Sequence, residues 1–381
     1  MSRGMRAEER GAAGGLWPAS LGWLFVNRLQ VVLYILVLPH VLLYPYMIWA
    51  IVIVGFLSHF NLRLLAGWLR TEEARLGYEG FVRLLGERAT RALAVPGAAA
   101  LLLDSAIVTL DYLEVAHHVL FPSVSRLTLL PLLWLVSFYL AGQGMLLAGR
   151  FVVMAFIGSV WIAALFIQFL FPPAAEYRLL LPVFPKEPRG DLALILPALW
   201  AALSGPQYLA FAGRRFAPAG RMFRWLALGN ALTVLEYIVF FLAVTLSFGT
   251  EYMRKIDYPV VQLIRYIQLP FFERLETVVI PAHMILYVFL DAFFILFLRD
   301  ALRVAAGAAR KPERPGWLTA AAFLWVAVVY VIGRFFWTNE TQHRLWIHVH
   351  VWLAGALYAL VPSFLALAAA RRRRRSDRTL T

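Results

Sequence analysis

Apolar stretches of membrane-spanning length recur along almost the whole chain. Each is about 20 residues long with few charges, the length that a helix needs to cross a hydrocarbon core of about 30 Å. Most of them lack the 3.6-residue alternation of polar and apolar positions that marks a surface helix of a soluble protein. The pattern predicts about ten transmembrane helices, at residues 21–39, 41–62, 95–119, 127–148, 151–171, 191–211, 224–249, 272–298, 317–336 and 346–369.

The composition places the chain in the same class. Of its 381 residues, 61% are hydrophobic and 15% are charged, whereas a soluble domain is about half apolar and about a quarter charged. The chain has no cysteine, which excludes a disulfide framework, a thiolate metal site and a cysteine nucleophile. It also lacks the P-loop, G-x-S-x-G and H-E-x-x-H motifs. We therefore expect an all-α polytopic membrane protein that is not an enzyme and has no catalytic residues, no cofactor and no metal site.

The net charge of +14 admits two interpretations. One is a surface for nucleic acid or another anionic partner, and the other is the enrichment of Lys and Arg in cytosolic loops. With the N-terminus placed inside, 26 of the 36 Lys and Arg fall on the inner side and 10 on the outer side. This asymmetry favours the second interpretation, with both termini in the cytosol. We therefore expect the basic residues to contact membrane lipids and expect no nucleic-acid partner. The chain then divides into a cytosolic tail (1–20), a single transporter-like transmembrane domain (21–370) and a basic cytosolic tail (371–381).

Two connecting stretches have helical patterns of their own. In residues 71–93 the apolar side chains share one face of a helix, which predicts a single amphipathic helix at the inner membrane interface. Residues 256–270 form a second candidate helix, on the outer side just before span 8.

Acidic residues inside the predicted spans are the candidates for an ion or ligand pathway. Asp104 and Asp111 in span 3 lie seven residues apart, on one helical stripe. An acid near the centre of a bilayer costs about 2.5–3.5 kcal/mol on insertion scales, so this stripe should face the bundle or an aqueous cavity. Either the two acids carry a cation or a ligand ammonium, or they are buried acids with structural partners. Glu236 in span 7 and Glu276 in the first turn of span 8 are further candidates for the pathway.

Span 6 is interrupted by a helix-breaking sequence, Ser204, Gly205, Pro206 and Gln207. Gly and Pro together break a helix and free backbone groups. In a membrane such backbone is tolerated only where it is buried in protein or lines a cavity, and the N-terminal end of the second half-helix can hold a carboxylate. The sequence predicts a ligand-binding break here, and a simple proline kink is the alternative.

Four segments share the order and spacing of motifs in a known family. They are YEGFVRLLGERATRAL (78–93), AGQGMLLAGRFVVMAF (141–156), ALWAALSGPQYLAF (198–211) and YP…LIRYI…FFERLE (258–276). Over roughly residues 28–370 the chain resembles the GerAB family of spore germination proteins, ten-span members of the amino acid–polyamine–organocation transporter superfamily. The resemblance implies a LeuT-like fold of two inverted five-span repeats with a broken helix 6.

The resemblance also implies where a ligand binds. In that superfamily the broken first and sixth helices form the substrate site, which here gives Pro39 and His40 together with Ser204–Gln207. The first helix departs from the family pattern, because only Pro39 and Pro45 interrupt residues 29–56 and there is no Gly-rich break.

For function, the resemblance implies a nutrient-sensing subunit of a germinant receptor in a spore inner membrane. Its ligand is expected to be a small nutrient such as an amino acid, and its partners the A-type and C-type receptor subunits. Its output is expected to be a signal or ions. Two alternatives remain open: a secondary transporter for an amino acid or other small solute, and a structural membrane subunit with a degenerate ligand site.

Overall fold

The computed structural model describes residues 16–31, 42–184, 192–217, 220–256, 258–267 and 274–380. In this part of the chain the regular structure is helical, apart from one isolated bridge between Trp17 and Phe216. The predicted ligand residues Pro39 and His40 lie outside the described residues.

The described residues form fourteen α-helices. In chain order they are α1 (Leu21–Val31), α2 (Ile48–Leu69), α3 (Glu72–Leu76), α4 (Tyr78–Leu85), α5 (Glu87–Val119), α6 (Arg126–Gly142), α7 (Gly144–Arg150), α8 (Val152–Leu165), α9 (Leu192–Ala202), α10 (Met222–Met253), α11 (Pro259–Ile264), α12 (Glu276–Ala305), α13 (Pro315–Val331) and α14 (Glu340–Leu380). Short 3-10 helices at Pro45–Met47, Phe166–Leu170, Tyr177–Leu180 and Pro206–Arg215 and a π-helix at Ile332–Phe336 join or extend them.

Eight of the described helical segments are long and apolar enough to cross a membrane. They are Pro45–Leu69, Glu87–Val119, Gly144–Leu170, Leu194–Arg215, Met222–Met253, Glu276–Ala305, Pro315–Phe336 and Glu340–Arg372. These eight coincide with predicted spans 2, 3 and 5 to 10. Predicted span 4 falls on the shorter apolar helix Arg126–Gly142, and predicted span 1 is described only as far as Val31.

Helix α12 forms the centre of the bundle. Its middle turns, from Leu286 to Leu298, are buried by other helices on every side. It packs against α5, α6, α8 and α13, while α10 packs against α1 and α2. The first helix and the central helices thereby bring polar side chains from distant parts of the sequence together inside the bundle.

The stretch 71–93 is not the single amphipathic helix predicted from its pattern. It forms α3, α4 and the first turns of α5, separated at Gly77 and Gly86. Both glycines have positive φ, +59° and +84°, a conformation that ends a helix and that only glycine adopts readily. The apolar face still packs inward, since the ring of Phe81 contacts Trp68 and Phe211.

Candidate functional site

The predicted break in span 6 lies between α9 and the following 3-10 helix. Helix α9 ends at Ala202, and the chain turns at Gly205, whose φ is +114°. A Cβ atom at this position would lie 2.7 Å from the carbonyl oxygen of Leu29, so only glycine fits against the end of α1. The amide of Gly205 donates to Oε1 of Gln207 at 2.6 Å. The side chain of Gln207 and close packing of Gly205 on α1 therefore both hold the turn in place.

The backbone groups freed by this turn have partners inside the protein. Nε2 of Gln30 donates to the carbonyl oxygen of Leu203 at 2.9 Å. The hydroxyl of Tyr237 contacts the carbonyl oxygens of Gln30 and Ala202, at 2.6 and 2.8 Å. Because unpaired backbone groups are costly away from water, these contacts explain how the span 6 turn persists beside α1.

Beside the turn lies a buried ion pair between α1 and α10. Nη2 of Arg28 is 2.7 Å from Oε1 of Glu236, and the two residues are 1% and 4% exposed. Nη1 of Arg28 donates to the Ser159 hydroxyl at 2.7 Å, and its Nε donates to Oδ1 of Asn27 at 2.8 Å. Nδ2 of Asn27 donates in turn to Oε2 of Glu236 at 2.7 Å and to the Thr233 hydroxyl at 3.1 Å.

These contacts give every polar atom of the pair a partner. Burying two charges is costly unless the geometry is good and the remaining hydrogen bonds are made. The ring of Phe156 lies 5.0 Å below the guanidinium of Arg28 and adds a cation–π contact. The pair is thus a preformed, desolvated site with one positive and one negative group.

The ion pair forms part of the wall of a cavity of about 40 Å³. A water molecule needs about 10–15 Å³ on this measure, so the cavity has room for a few. Apart from Arg28, Glu236 and a few other polar side chains, the wall is apolar. The lining residues are Arg28, Val31, Tyr112, Val115, Ser159, Ile162, Ala163, Glu236, Phe240, Val260, Val261, Ile264, Val279, Ile280, His283 and Tyr287.

The short helix α11 contributes part of this wall. Val260, Val261 and Ile264 point into the cavity from its six residues. The short helix α11 is therefore one of the elements that shape this cavity.

Among the sequence-predicted residues that the structure describes, Glu236 is the one that lines this cavity. Ser204, Gly205, Pro206 and Gln207 are buried behind it, against α1, and they are not among the lining residues.

Glu276 is also buried, but Oε1 of Glu276 pairs with Nε of Arg274 at 2.9 Å, away from the cavity wall.

Asp104 and Asp111 are both buried, and each meets a histidine of α14. Nδ1 of His350 is 2.9 Å from Oδ1 of Asp104, without hydrogen-bond alignment, and Nε2 of His343 is 3.2 Å from Oδ1 of Asp111. The hydroxyl of Tyr208 donates to Oδ2 of Asp104 at 2.5 Å. Because Tyr208 belongs to the 3-10 helix after the span 6 break, Asp104 is linked to that element directly.

Sequence reasoning missed His343 and Arg28. His343 and His350 are seven residues apart, as are Asp104 and Asp111. This equal spacing is the signal from which a side-by-side pairing of the two helices could have been predicted. Arg28 lies within the first predicted span, and a charge inside a span indicates a functional position by default.

The described residues contain no group of three or more His, Cys, Asp or Glu placed to hold a metal ion.

Comparison with solved structures shows the fold. No curated protein matches the sequence. The crystal structure of a manganese transporter from Eremococcus coleocola, in complex with an aromatic bis-isothiourea substituted compound, matches with a TM-score of 0.52. The alignment covers 92% of this chain and 75% of that chain at 12% identity. The predicted fold class, an all-α membrane protein of the LeuT-like transporter type, is confirmed.

Comparison with family models shows the family. Residues 50–301 match the model of the spore permease family, described as spore germination protein. This segment contains the span 6 turn, the acids of α5 and Glu236. The family and the apolar helices make the chain a multi-pass membrane protein with a permease-like or germinant-receptor-like role. With two thirds of its length matched, the chain belongs to the spore germination protein family.

Proposed function

We propose that this protein is the nutrient-sensing membrane subunit of a germinant receptor and that its ligand is an amino acid. The observation that carries the proposal is the buried Arg28–Glu236 pair in the wall of a largely apolar cavity, next to the span 6 turn. The protein recognises its ligand and passes on a signal or ions, and it catalyses no reaction.

The two charges of the pair match the two charges of an α-amino acid. A guanidinium binds a carboxylate with two parallel hydrogen bonds, and a carboxylate accepts from an ammonium group. A zwitterion that enters between Arg28 and Glu236 therefore replaces their mutual contact without leaving either charge unpaired. The apolar wall then receives the side chain of the ligand.

The size of the chamber requires a conformational step. Its volume of about 40 Å³ holds a few water molecules and not an amino acid. Entry of the ligand has to separate Arg28 from Glu236 and move α11 outward. This movement couples ligand binding to the shape of the protein, which is what a sensor needs.

The protein works as one subunit of a larger receptor. The family context is that of a germinant receptor, and we infer that the partners are the A-type and C-type subunits in the spore inner membrane, with both termini of this chain cytosolic. Asp104 and Asp111 form the proposed ion pathway, adjacent to the span 6 turn through Tyr208.

A ligand screen on the purified full-length protein tests the proposal. Thermal unfolding in lipid nanodiscs is measured with a panel of amino acids and nucleosides, and at least one amino acid should raise the unfolding temperature in a saturable way. Glu236→Gln should abolish this shift. The control is Glu313→Gln, which alters an Arg–Glu pair, with Arg299 at 2.6 Å, away from the cavity.

Three outcomes contradict the proposal. Stabilisation by nucleosides alone would assign a different ligand class. If no compound of the panel changed the unfolding temperature, the protein would be a structural subunit with a degenerate ligand site. Concentrative uptake of the stabilising amino acid into liposomes by this chain alone would make it a transporter instead of a sensor.

A further inference from the structure

Three exposed arginines lie where the last turns of α2 meet the beginning of α10. The guanidinium of Arg63 lies over the ring of Phe223, with 5.9 Å between Cζ and the ring centroid. Phe223 is the second residue of α10, and Arg221 and Arg224 precede and follow it in the sequence. All three arginines are exposed. We call Arg63, Arg221 and Arg224 the α2–α10 arginine cluster.

The acidic side chains at this end of the bundle are paired with other arginines. Their ion pairs are Glu72–Arg83, Glu73–Arg372, Glu79–Arg310, Glu87–Arg91, Asp300–Arg299 and Glu313–Arg299. Within the described part of the chain, no acidic side chain forms an ion pair with the α2–α10 arginine cluster. Like charges repel each other, so the cluster leaves positive charge that an anion from elsewhere can neutralise.

The ring of Phe223 holds one of these charges in place. It contacts the ring of His59 edge-on, with 4.9 Å between centroids, and the guanidinium of Arg63 through a cation–π contact. The cation–π contact uses the face of the guanidinium, whereas its N–H donors point outward in the plane of the group. Arg63 can therefore donate to the oxygens of a phosphate while it stays on the ring.

Exposed apolar side chains adjoin the cluster on the side of the membrane interior. Phe60 lies three residues before Arg63 on α2, and Leu228 lies four residues after Arg224 on α10, so each shares a helix face with its arginine. Both stand one turn further into a membrane-spanning helix. The surface is thus cationic at the end of the helices and apolar directly beneath, which matches the two parts of a phospholipid.

We propose that the α2–α10 arginine cluster binds the headgroup phosphate of an anionic phospholipid, whose acyl chains lie against Phe60 and Leu228. Arg63 donates to the phosphate oxygens, and Arg221 and Arg224 add the attraction of two further positive charges. A soluble anion would use only the cationic part of this surface, and a zwitterionic lipid carries a positive group that the arginines repel.

The bound lipid joins two helices that are already in close contact deeper in the bundle. A Cβ atom at Gly55 of α2 would lie 2.5 Å from Cγ2 of Val234 of α10, and Nδ2 of Asn230 donates to the carbonyl oxygen of Gly55 at 3.0 Å. The lipid extends this contact to the membrane surface and fixes the beginning of α10.

The lipid site does not depend on the nutrient. The residues of the cluster are not among the lining residues of the cavity, and the test needs no amino acid. The lipid site and the proposed nutrient site can therefore fail separately.

Lipid binding to the purified full-length protein in detergent tests the proposal. Native mass spectrometry counts the lipids bound as dioleoyl phosphatidylglycerol or dioleoyl phosphatidylcholine is added. The unmodified protein should prefer phosphatidylglycerol. The double variant Arg63→Gln, Arg224→Gln should bind it about tenfold more weakly or worse, since each basic residue near an anionic headgroup contributes about a factor of five.

The matched control is the double variant Arg88→Gln, Arg314→Gln. Both arginines are exposed and have no ion pair among the described residues, so this variant loses the same total charge away from the cluster. It should bind phosphatidylglycerol like the unmodified protein. If the first double variant cannot be purified, Arg221→Gln alone should weaken binding by about fivefold.

Three results would overturn the proposal. Equal losses of affinity in the two double variants would show that the lipid responds only to total charge. Equal affinity for the two lipids would show that no anionic headgroup is selected. Displacement of phosphatidylglycerol by inorganic phosphate or an oligoglutamate peptide at the same concentration would assign the cluster to a soluble anion.

Discussion

Arg28 and Glu236 are 208 positions apart in the sequence, and their charged groups meet at 2.7 Å inside the bundle. Arg28 comes from the first helix next to the span 6 turn, and Glu236 from the middle of α10. The pair links these two elements and supplies the only two opposite charges in the wall of the described cavity. This relationship is the basis of the proposed nutrient site and of the first prediction.

Removing one member of the pair should destabilise the protein strongly. Arg28→Met leaves Glu236 buried without its partner, and loss of one partner of a buried pair costs about 3–5 kcal/mol. The double variant Arg28→Met, Glu236→Leu should recover most of that stability, because two apolar side chains need no partner. Thermal or denaturant unfolding in micelles measures both. Equal destabilisation of the single and double variants would show that the charges are not coupled.

A side chain at Gly205 should strain the span 6 turn. Its φ of +114° is unfavourable for any other residue, and a Cβ would approach the carbonyl oxygen of Leu29 to 2.7 Å. We expect Gly205→Ala to cost about 1–3 kcal/mol of stability and to reduce the ligand response. Gly67→Ala is the control, since no atom lies within 4 Å of a Cβ there and alanine favours a helix. If the two variants unfolded at the same temperature, the turn at Gly205 would not be strained.

The spans and the turn were predictable because their physical signals are local. A membrane helix needs an unbroken apolar run, and the Gly205–Pro206 pair cannot continue a helix. Both signals can be read within a window of a few residues, so span limits agree with the described helices to within several residues.

The partners of the buried charges were not predictable in the same way. The contact between Asp111 and His343 depends on which faces of α5 and α14 pack together. The contact between Arg28 and Glu236 depends on the position of α1. The single helix expected over 71–93 was wrong, because the positive φ of Gly77 and Gly86 outweighed the apolar periodicity.

An ionic contact on the loop side of the bundle should respond to acid. Arg310 donates from Nε and Nη2 to the two carboxylate oxygens of Glu79, at 2.7 and 3.0 Å. These hydrogen bonds lower the pKa of Glu79 below its usual value, so the stability they give is present above the carboxyl's ordinary pKa of about 4.3 and is lost as the pH falls through the lower, folded-state value.

Thermal unfolding between pH 7 and pH 3 tests this contact. Arg310→Ala should unfold at a slightly lower temperature than the unmodified protein at pH 7, and the difference should vanish at the acid end. Arg314→Ala, an exposed neighbour without an ion pair among the described residues, should match the unmodified protein throughout. A difference that grows towards acid pH would have the wrong sign for this mechanism.

The charge of Asp104 should matter more than its hydrogen bond with Tyr208. Asp104→Asn keeps the size of the side chain and removes the charge that faces His350. We expect it to abolish nutrient-triggered ion release from spores while membrane expression and assembly remain near normal. Tyr208→Phe removes only the donor to Asp104 and should retain partial release. Full release in Asp104→Asn would leave this acid with a structural role only.

The most direct test of the central claim is a cryo-electron microscopy structure of the protein with its stabilising amino acid bound. We predict ligand density between the guanidinium of Arg28 and the carboxylate of Glu236, with their 2.7 Å contact opened and α11 displaced from the cavity. Ligand density elsewhere, with the Arg28–Glu236 contact still closed, would contradict the account.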